Sequence, residues 1–110
     1  MRNIKLVLEY DGTDFVGWQR QPNGRSVQDE IEKALLQLIQ EKVNVIGAGR
    51  TDSGVHARGQ VANFRCDSDM DIKQINRGLT AIIPEDVSLV SLEETVFDFH
   101  ARYSARSRTY

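Results

Sequence analysis

The segment VNVIGAGRTDSGVHARGQVANF, residues 43–64, contains two apolar runs separated by an unusually polar link. Both runs have the composition of strands, and two strands that follow each other directly usually form an antiparallel hairpin. Hairpins normally need about two to five connecting residues. The link at 47–60 is much longer and carries two arginines, an aspartate and a histidine. We therefore predict strands near 43–48 and 59–66, joined by a loop whose length indicates a function beyond connection.

The sequence on both sides of this hairpin has helical periodicity. Before the hairpin, apolar residues at helical spacing predict an amphipathic helix over about 26–41, with Ser26 as its N-cap. After the hairpin, a second apolar helical face ends just before Pro84. At the start of that face, Asp71 followed by Gln74 resembles a capping box.

Two further strands complete the pattern. The residues at 4–10 are apolar on one side and mixed on the other, and 86–92 has a similar strand composition. The resulting order, βαββαβ, predicts an α+β, ferredoxin-like fold, in which an antiparallel sheet carries both helices on one face. At 110 residues, the chain is expected to form a single domain over 1–110 that carries the loop at 47–60.

Composition places the chain among ordinary globular proteins, with 40% hydrophobic and 27% charged residues. The sequence has no apolar stretch of about 20 residues that could span a bilayer, and its start lacks the apolar core of a signal peptide. We therefore predict a cytoplasmic protein that does not bind membranes. The single cysteine, Cys66, has no partner for an internal disulfide, and we interpret it as a small core or surface residue rather than a catalytic thiol.

Charge is distributed unevenly along the chain. The net charge of −2 argues against general nucleic-acid binding. However, the segment 67–98 holds eight acidic residues, whereas 99–110 holds three arginines and no acid. Arginine also outnumbers lysine ten to four. Because the planar guanidinium suits phosphates and base edges, a local anionic partner is consistent with this pattern.

The stretch around Asp52 is open to two interpretations. Aspartate, serine and glycine together are typical of a simple turn. Alternatively, Asp52 is a catalytic nucleophile or base that Arg50 and Arg58 keep ionised. We expect no metal site, because Asp52, His56 and Cys66 lack a recognised ligand spacing.

Two functional hypotheses follow from these residues alone. One is an enzyme centred on an aspartate that acts on an anionic substrate. The other is a noncatalytic ferredoxin-like RNA-binding module. RNA-binding versions of this fold usually stack bases on aromatic side chains of the central strands, where this sequence offers only Phe64.

Several motifs resemble the tRNA pseudouridine synthase A family. Residues 48–57, AGRTDSGVHA, closely resemble its catalytic motif, and residues 9–21, EYDGTDFVGWQRQ, resemble its N-terminal motif. The helix start SVQ at 26–28 is similar as well, and so are FHAR at 99–102 and RTY at 108–110. The resemblance covers essentially the whole chain, with its motifs in the family's order.

This resemblance implies an isomerase that converts uridine to pseudouridine at positions 38–40 of the tRNA anticodon stem-loop, without cofactor or metal. By the match, Asp52 is the catalytic aspartate and acts as a nucleophile or as a base at the sugar. Arg50 corresponds to an arginine that fills the space left by the flipped base. Tyr110 corresponds to the tyrosine that stacks on the flipped uracil.

The remaining candidate residues are less specific. For Gln19 and Arg20, contact with the RNA backbone and simple exposure to solvent are both open, and Arg58 is a candidate phosphate contact. We interpret Trp18 as an apolar residue that holds its loop against the sheet. The family's enzymes are homodimers with a second, similar half that supplies a basic partner for the aspartate. We therefore expect this chain to be the N-terminal half, inactive by itself, and the C-terminal half to be absent.

Overall fold

The computed structural model of the chain describes residues 1–19, 22, 24–48, 57–96 and 98–101. Of Asp14, Ala57 and Arg58 it describes the backbone only. Over these described ranges, no helix has the length and apolar character that crossing a membrane requires.

The elements follow the predicted order, with a short 3-10 turn after the first strand. They are β1 (Arg2–Tyr10), α1 (Val27–Ile39), β2 (Ile46–Gly47), β3 (Ala57–Cys66), α2 (Ile72–Ile82) and β4 (Val87–Thr95). The sheet order is β2-β3-β1-β4, and every described pair of neighbouring strands is antiparallel. This arrangement confirms the predicted ferredoxin-like fold.

One face of the sheet and both helices form a single core. Along β1, alternate residues point to this face, and the neighbouring elements add their own buried side chains. Its fully buried members include Ile4, Leu6, Leu8, Ile31, Leu35, Phe64, Ile75 and Leu79. The helices approach closely at Gly78, where an added methyl group would lie 2.5 Å from Cδ1 of Leu38. Both helices therefore cover the same face, as the pattern predicted.

The N-terminus of α1 is fully capped. The Ser26 hydroxyl accepts a hydrogen bond from the Asp29 backbone N–H at 3.1 Å, which confirms the predicted N-cap. The backbone N–H groups of Val27 and Gln28, the first two residues of the helix, donate to backbone carbonyls of the preceding loop. At the other end, Gln40 has a left-handed backbone with φ 55°, which ends the helix.

The predicted capping box of α2 is wrong. Asp71 occupies the N-cap position, but its side chain makes no capping hydrogen bond. Its backbone carbonyl accepts the first helical bond from Ile75 N–H at 3.0 Å. The start of α2 therefore depends on packing of its apolar face rather than on a side-chain cap.

β2 is much shorter than the predicted strand near 43–48. Val45 is fully buried, yet its backbone bonds to α1 rather than to a strand. Its N–H donates to Glu32 Oε2 at 2.9 Å, and its carbonyl accepts from Gln28 Nε2 at 3.0 Å. Because helix side chains take these backbone hydrogen bonds, ladder pairing begins only at Ile46.

Cys66 lies in the core, the first of the two positions in its interpretation as a small core or surface residue. Burial raises the pKa of its thiol, and the nearby Glu41 carboxylate raises it further. The group is therefore a neutral thiol at neutral pH, a poor nucleophile.

Candidate active site at the base of the 47–60 loop

The two strands that flank the loop form the predicted hairpin. Gly47 pairs with Ala62, and beyond it the Ala48 backbone N–H donates to the Val61 carbonyl at 2.7 Å. β3 begins at Ala57, where its backbone pairs with the end of β1. Both ends of the loop are therefore paired into the sheet, at the same end of its strands.

β3 is irregular where it leaves the loop. Leu8 of β1 pairs with Gln60, whereas Tyr10, two residues on, pairs with Ala57, three residues back. Arg58 and Gly59 of β3 therefore stand opposite the single residue Glu9 of β1, so β3 carries one extra residue there. Such bulges are common beside active sites, where they redirect a side chain.

Aromatic side chains lie directly beneath the base of the loop. The Tyr10 ring stacks on Trp18, with centroids 6.4 Å apart, and meets Phe15 edge-on at 6.3 Å. All three rings are at most 4% exposed. The indole of Trp18 lies against Gly47, since a methyl group there would lie 2.6 Å from its Cε2 and Nε1 atoms. The N-terminal loop and the hairpin therefore share one packed base.

The loop between β1 and α1 is held at several points by its backbone. Asp11 N–H donates to the Asp86 carbonyl at 2.9 Å, next to the start of β4. Val16 N–H donates to the Arg25 carbonyl at 2.8 Å, so the loop is also bonded to itself. The Trp18 carbonyl accepts from an N-terminal amide of α1 at 2.9 Å. These bonds place Trp18 and the residue after it near the hairpin.

The predicted site residues fall into two groups. Gln19 is exposed and directly follows the buried Trp18, so it lies at the end of the sheet that carries the hairpin. The backbone of Arg58 belongs to β3. The other candidates lie outside the described residues: Arg20, Arg50, Asp52 and Tyr110.

The burial of Trp18 agrees with its interpretation as a residue that holds its own loop against the sheet, but the sequence did not predict which residues support the hairpin loop. Tyr10, Phe15 and Trp18 are spaced within one short segment of the N-terminal motif, and this aromatic clustering was the available signal. Gly47 is the first residue of the 47–60 loop, but nothing local indicates that a tryptophan so distant in sequence would contact it. The described part of the chain has no group of three or more His, Cys, Asp or Glu residues that could hold a metal ion.

Comparison of the sequence with known proteins finds one family that matches the chain. A family model for tRNA pseudouridine synthase matches residues 6–104. The chain is 58% identical, over its whole length, to tRNA pseudouridine synthase A of Roseiflexus sp. (strain RS-1), of which it covers 41%. It is 48% identical to the protein of the same name from Caldicellulosiruptor saccharolyticus, of which it covers 45%. It is 46% identical to tRNA pseudouridine synthase A 2 of Clostridium perfringens, again covering 45%. The chain thus spans less than half the length of these relatives.

Proposed function

The chain belongs to the tRNA pseudouridine synthase family, and from this we propose that it supplies the catalytic loop of an isomerase that converts uridine to pseudouridine in tRNA. The observation that carries the proposal is the family match over residues 6–104. The match includes the loop at 47–60, the aromatic base beneath it and most of the fold that holds both.

The proposed reaction is a net isomerisation. The bond between uracil N1 and the sugar C1′ breaks, the uracil turns, and a bond forms between C1′ and C5. C5 loses its hydrogen as a proton, and N1 gains one. Because no electrons are gained or lost overall, side chains that hold the base and stabilise the detached sugar are sufficient. We therefore propose that no cofactor takes part.

We propose Asp52 as the catalytic nucleophile at the sugar. It is the only acidic residue between Glu41 and Asp67, and its loop is tied into the sheet at both ends. Arg50 and Arg58 are close to it in sequence, and a neighbouring positive charge favours the ionised carboxylate that a nucleophile requires. Attachment to a paired hairpin limits the motion of such a group relative to the substrate.

The remaining candidates are assigned to RNA binding. We propose that Arg50 occupies the space of the flipped nucleotide and that Tyr110 stacks on the uracil. Gln19 is exposed beside the base of the loop, which is consistent with contact to the RNA backbone by Gln19 and Arg20. Arg58, at the bulge in β3, is proposed as a phosphate contact.

The substrate is proposed to be the anticodon stem-loop of tRNA, modified at positions 38–40. The names of the relatives, tRNA pseudouridine synthase A, support a tRNA substrate. We further propose that the full-length enzyme acts as a homodimer in the cytoplasm, with no membrane association. The chain itself is proposed to be the N-terminal ferredoxin-like domain of that enzyme.

The noncatalytic RNA-binding alternative has less support. Such modules usually stack bases on aromatic side chains exposed on their central strands. Phe64 is fully buried in the core, and Tyr10 is only 4% exposed. The described central strands therefore offer no accessible aromatic surface for stacking.

Replacing Asp52 with asparagine tests the proposed function directly. In the full-length protein, Asp52→Asn should leave tRNA binding within about twofold of wild type, because phosphate contacts dominate affinity. It should reduce pseudouridine formation to background, because the amide is not a nucleophile. The measurement is tritium release from tRNA labelled at uridine C5, combined with a filter-binding titration.

A matched control is Asp69→Asn, which makes the same change at an exposed carboxylate outside the proposed site. This variant should retain wild-type turnover. Substantial turnover by Asp52→Asn would contradict the assignment of Asp52. If the wild-type full-length protein binds tRNA but releases no tritium, the noncatalytic module is the better description.

A further inference from the structure

Trp18 connects two segments of the proposed site that are far apart in sequence. Its side chain is only 2% exposed and lies between the N-terminal loop and the base of the hairpin. A methyl group on Gly47 would lie 2.6 Å from both Cε2 and Nε1 of the indole. Carbon atoms in contact normally stay about 3.5–4.0 Å apart. Glycine is therefore the residue that allows this approach of ring and backbone.

The indole cannot easily move away from Gly47. The ring also stacks on Tyr10, at 6.4 Å between centroids and with 28° between the ring planes. Tyr10 itself belongs to β1, the central strand that pairs with both β3 and β4. The backbone of Trp18 is held as well, because its carbonyl accepts from Gln28 N–H of α1. The ring is thus a rigid contact rather than a flexible one.

Past Val45, whose backbone bonds to side chains of α1, the β2 side of the hairpin has few other constraints among the described residues. β2 consists of only Ile46 and Gly47, whereas β3 has ten residues and pairs with β1 along most of its length. Two ladder positions and one further backbone bond, from Ala48, hold β2 in the sheet. Side-chain packing must therefore contribute strongly to the position of this strand, and Trp18 supplies that packing at Gly47.

We infer that Trp18 is a positioning residue for catalysis, which sets the placement of the Asp52 loop through its contact with Gly47. Gly47 lies five residues before Asp52, so a shift of the strand end is transmitted to the loop. Displacement of a reacting group by about 1 Å can cost on the order of a hundredfold in rate. This inference rests on the proposed function, because it assumes that Asp52 reacts with the substrate.

The test compares Gly47→Ala, Trp18→Leu and the double variant in the full-length protein. The quantity measured is the single-turnover rate of pseudouridine formation at saturating enzyme, beside the tRNA dissociation constant and the thermal midpoint. Gly47→Ala should slow single turnover by about tenfold to a hundredfold, with tRNA affinity within about threefold. Leucine lacks the ring atoms that the added methyl group would meet, so Trp18→Leu makes room for it, and Gln60 Nε2, 2.8 Å from the same methyl position, is the end of a flexible side chain. The double variant should therefore recover at least part of the rate lost in Gly47→Ala.

A stability control separates positioning from simple loss of folding. Leu79→Ala removes a fully buried side chain of α2 and should lower the thermal midpoint, because it leaves a cavity in the core. The folded fraction of this variant should keep the wild-type single-turnover rate. A purely structural role for Trp18 would give its variants the same behaviour as Leu79→Ala.

The outcomes distinguish this inference from the proposed function. If the wild-type protein is active and Gly47→Ala keeps its single-turnover rate, the positioning role is wrong and the proposed function stands. If the rate loss in the double variant equals the product of the losses in the two single variants, the contact between Trp18 and Gly47 does not position the loop. That result also overturns the inference. If the wild-type protein forms no pseudouridine, the proposed function itself fails.

Discussion

Arg25 holds the loop between β1 and α1 in place through two contacts of its guanidinium group, with Asp86 and with Phe15. Its two terminal nitrogens donate to the two carboxylate oxygens of Asp86 at 2.9 and 3.2 Å. The same group lies 4.2 Å above the centre of the Phe15 ring. A lysine could not make these contacts together, because it lacks the planar, two-pronged geometry. Since Phe15 also packs against Tyr10, Arg25 strengthens the aromatic base beneath the hairpin.

Arg50 is expected to affect the modification of paired target uridines more than that of unpaired ones. Extruding a paired nucleotide costs a few kcal/mol, and less where the base is already unpaired. In the full-length enzyme, Arg50→Ala should therefore reduce modification of stem uridines more than that of loop uridines, by about tenfold. The measurement is the rate of pseudouridine formation on tRNAs that carry a single target uridine in either setting.

Arg77→Ala serves as the control for Arg50→Ala, because Arg77 is exposed on α2. This variant should change both rates equally or not at all. Equal losses at stem and loop uridines in Arg50→Ala would show that the arginine does not substitute for the flipped base.

The face of the sheet away from the helices carries a buried, hydrogen-bonded pair of polar side chains. Asn63 Nδ2 donates to Asn3 Oδ1 at 3.0 Å, and both side chains are almost fully buried. Asn3 Nδ2 in turn donates to the carbonyls of Val96 and Phe99. Ala101 N–H donates to Asn63 Oδ1 at 2.8 Å. The two asparagines therefore hold the segment after β4 against the sheet.

Removing the Asn63 amide should destabilise this attachment. In Asn63→Ala, the Ala101 N–H and the Asn3 side chain each lose a buried partner, which costs about 1–3 kcal/mol per unsatisfied group. We expect the urea midpoint of residues 1–110 to fall accordingly, monitored by fluorescence of Trp18, the single tryptophan. Asn44→Ala, at an exposed asparagine, should stay within about 0.5 kcal/mol of wild type. A midpoint unchanged by Asn63→Ala would mean that the network contributes nothing to stability.

The core of the molecule is large enough for folding, whereas the proposed catalysis requires residues of the full-length enzyme beyond this chain. Within the described ranges, twenty buried residues form one continuous cluster between the sheet and its helices. Yet the chain covers only 41–45% of the length of the relatives compared above. A domain of this size is expected to fold with marginal stability. An active site that excludes water normally requires walls on more than one side.

We predict that residues 1–110 fold cooperatively but do not catalyse. Asp52 would be hydrated in this chain, without the low-dielectric surroundings that make charged groups effective in catalysis. Arginines of the loop and tail should still give weak, salt-sensitive tRNA binding. The measurement is tritium release by this chain at high concentration, with the full-length protein as the positive control and circular dichroism to verify folding. Pseudouridine formation by this chain alone would show that the rest of the enzyme is dispensable.

Features that depend on near neighbours could be determined from the sequence alone. The spacing of apolar residues determined both helix faces and the element order, and Ser26 was predicted correctly as an N-cap. These succeed because periodicity and capping involve residues within about one helical turn. The motif around Asp52 was sufficient to indicate the family, although its loop lies outside the described residues and its role stays a prediction.

Features that depend on distant contacts were decided only by the tertiary structure. Val45 looks like a strand residue, but Glu32 of α1 takes its backbone hydrogen bond, so β2 begins later. Gly47 is required because Trp18, 29 residues earlier, occupies the space that a side chain would fill. The asparagine pair joins residues 60 positions apart. The physical reason is the same in each case: sheet order and helix packing bring these groups together, and no local pattern of side chains encodes which distant group will be there.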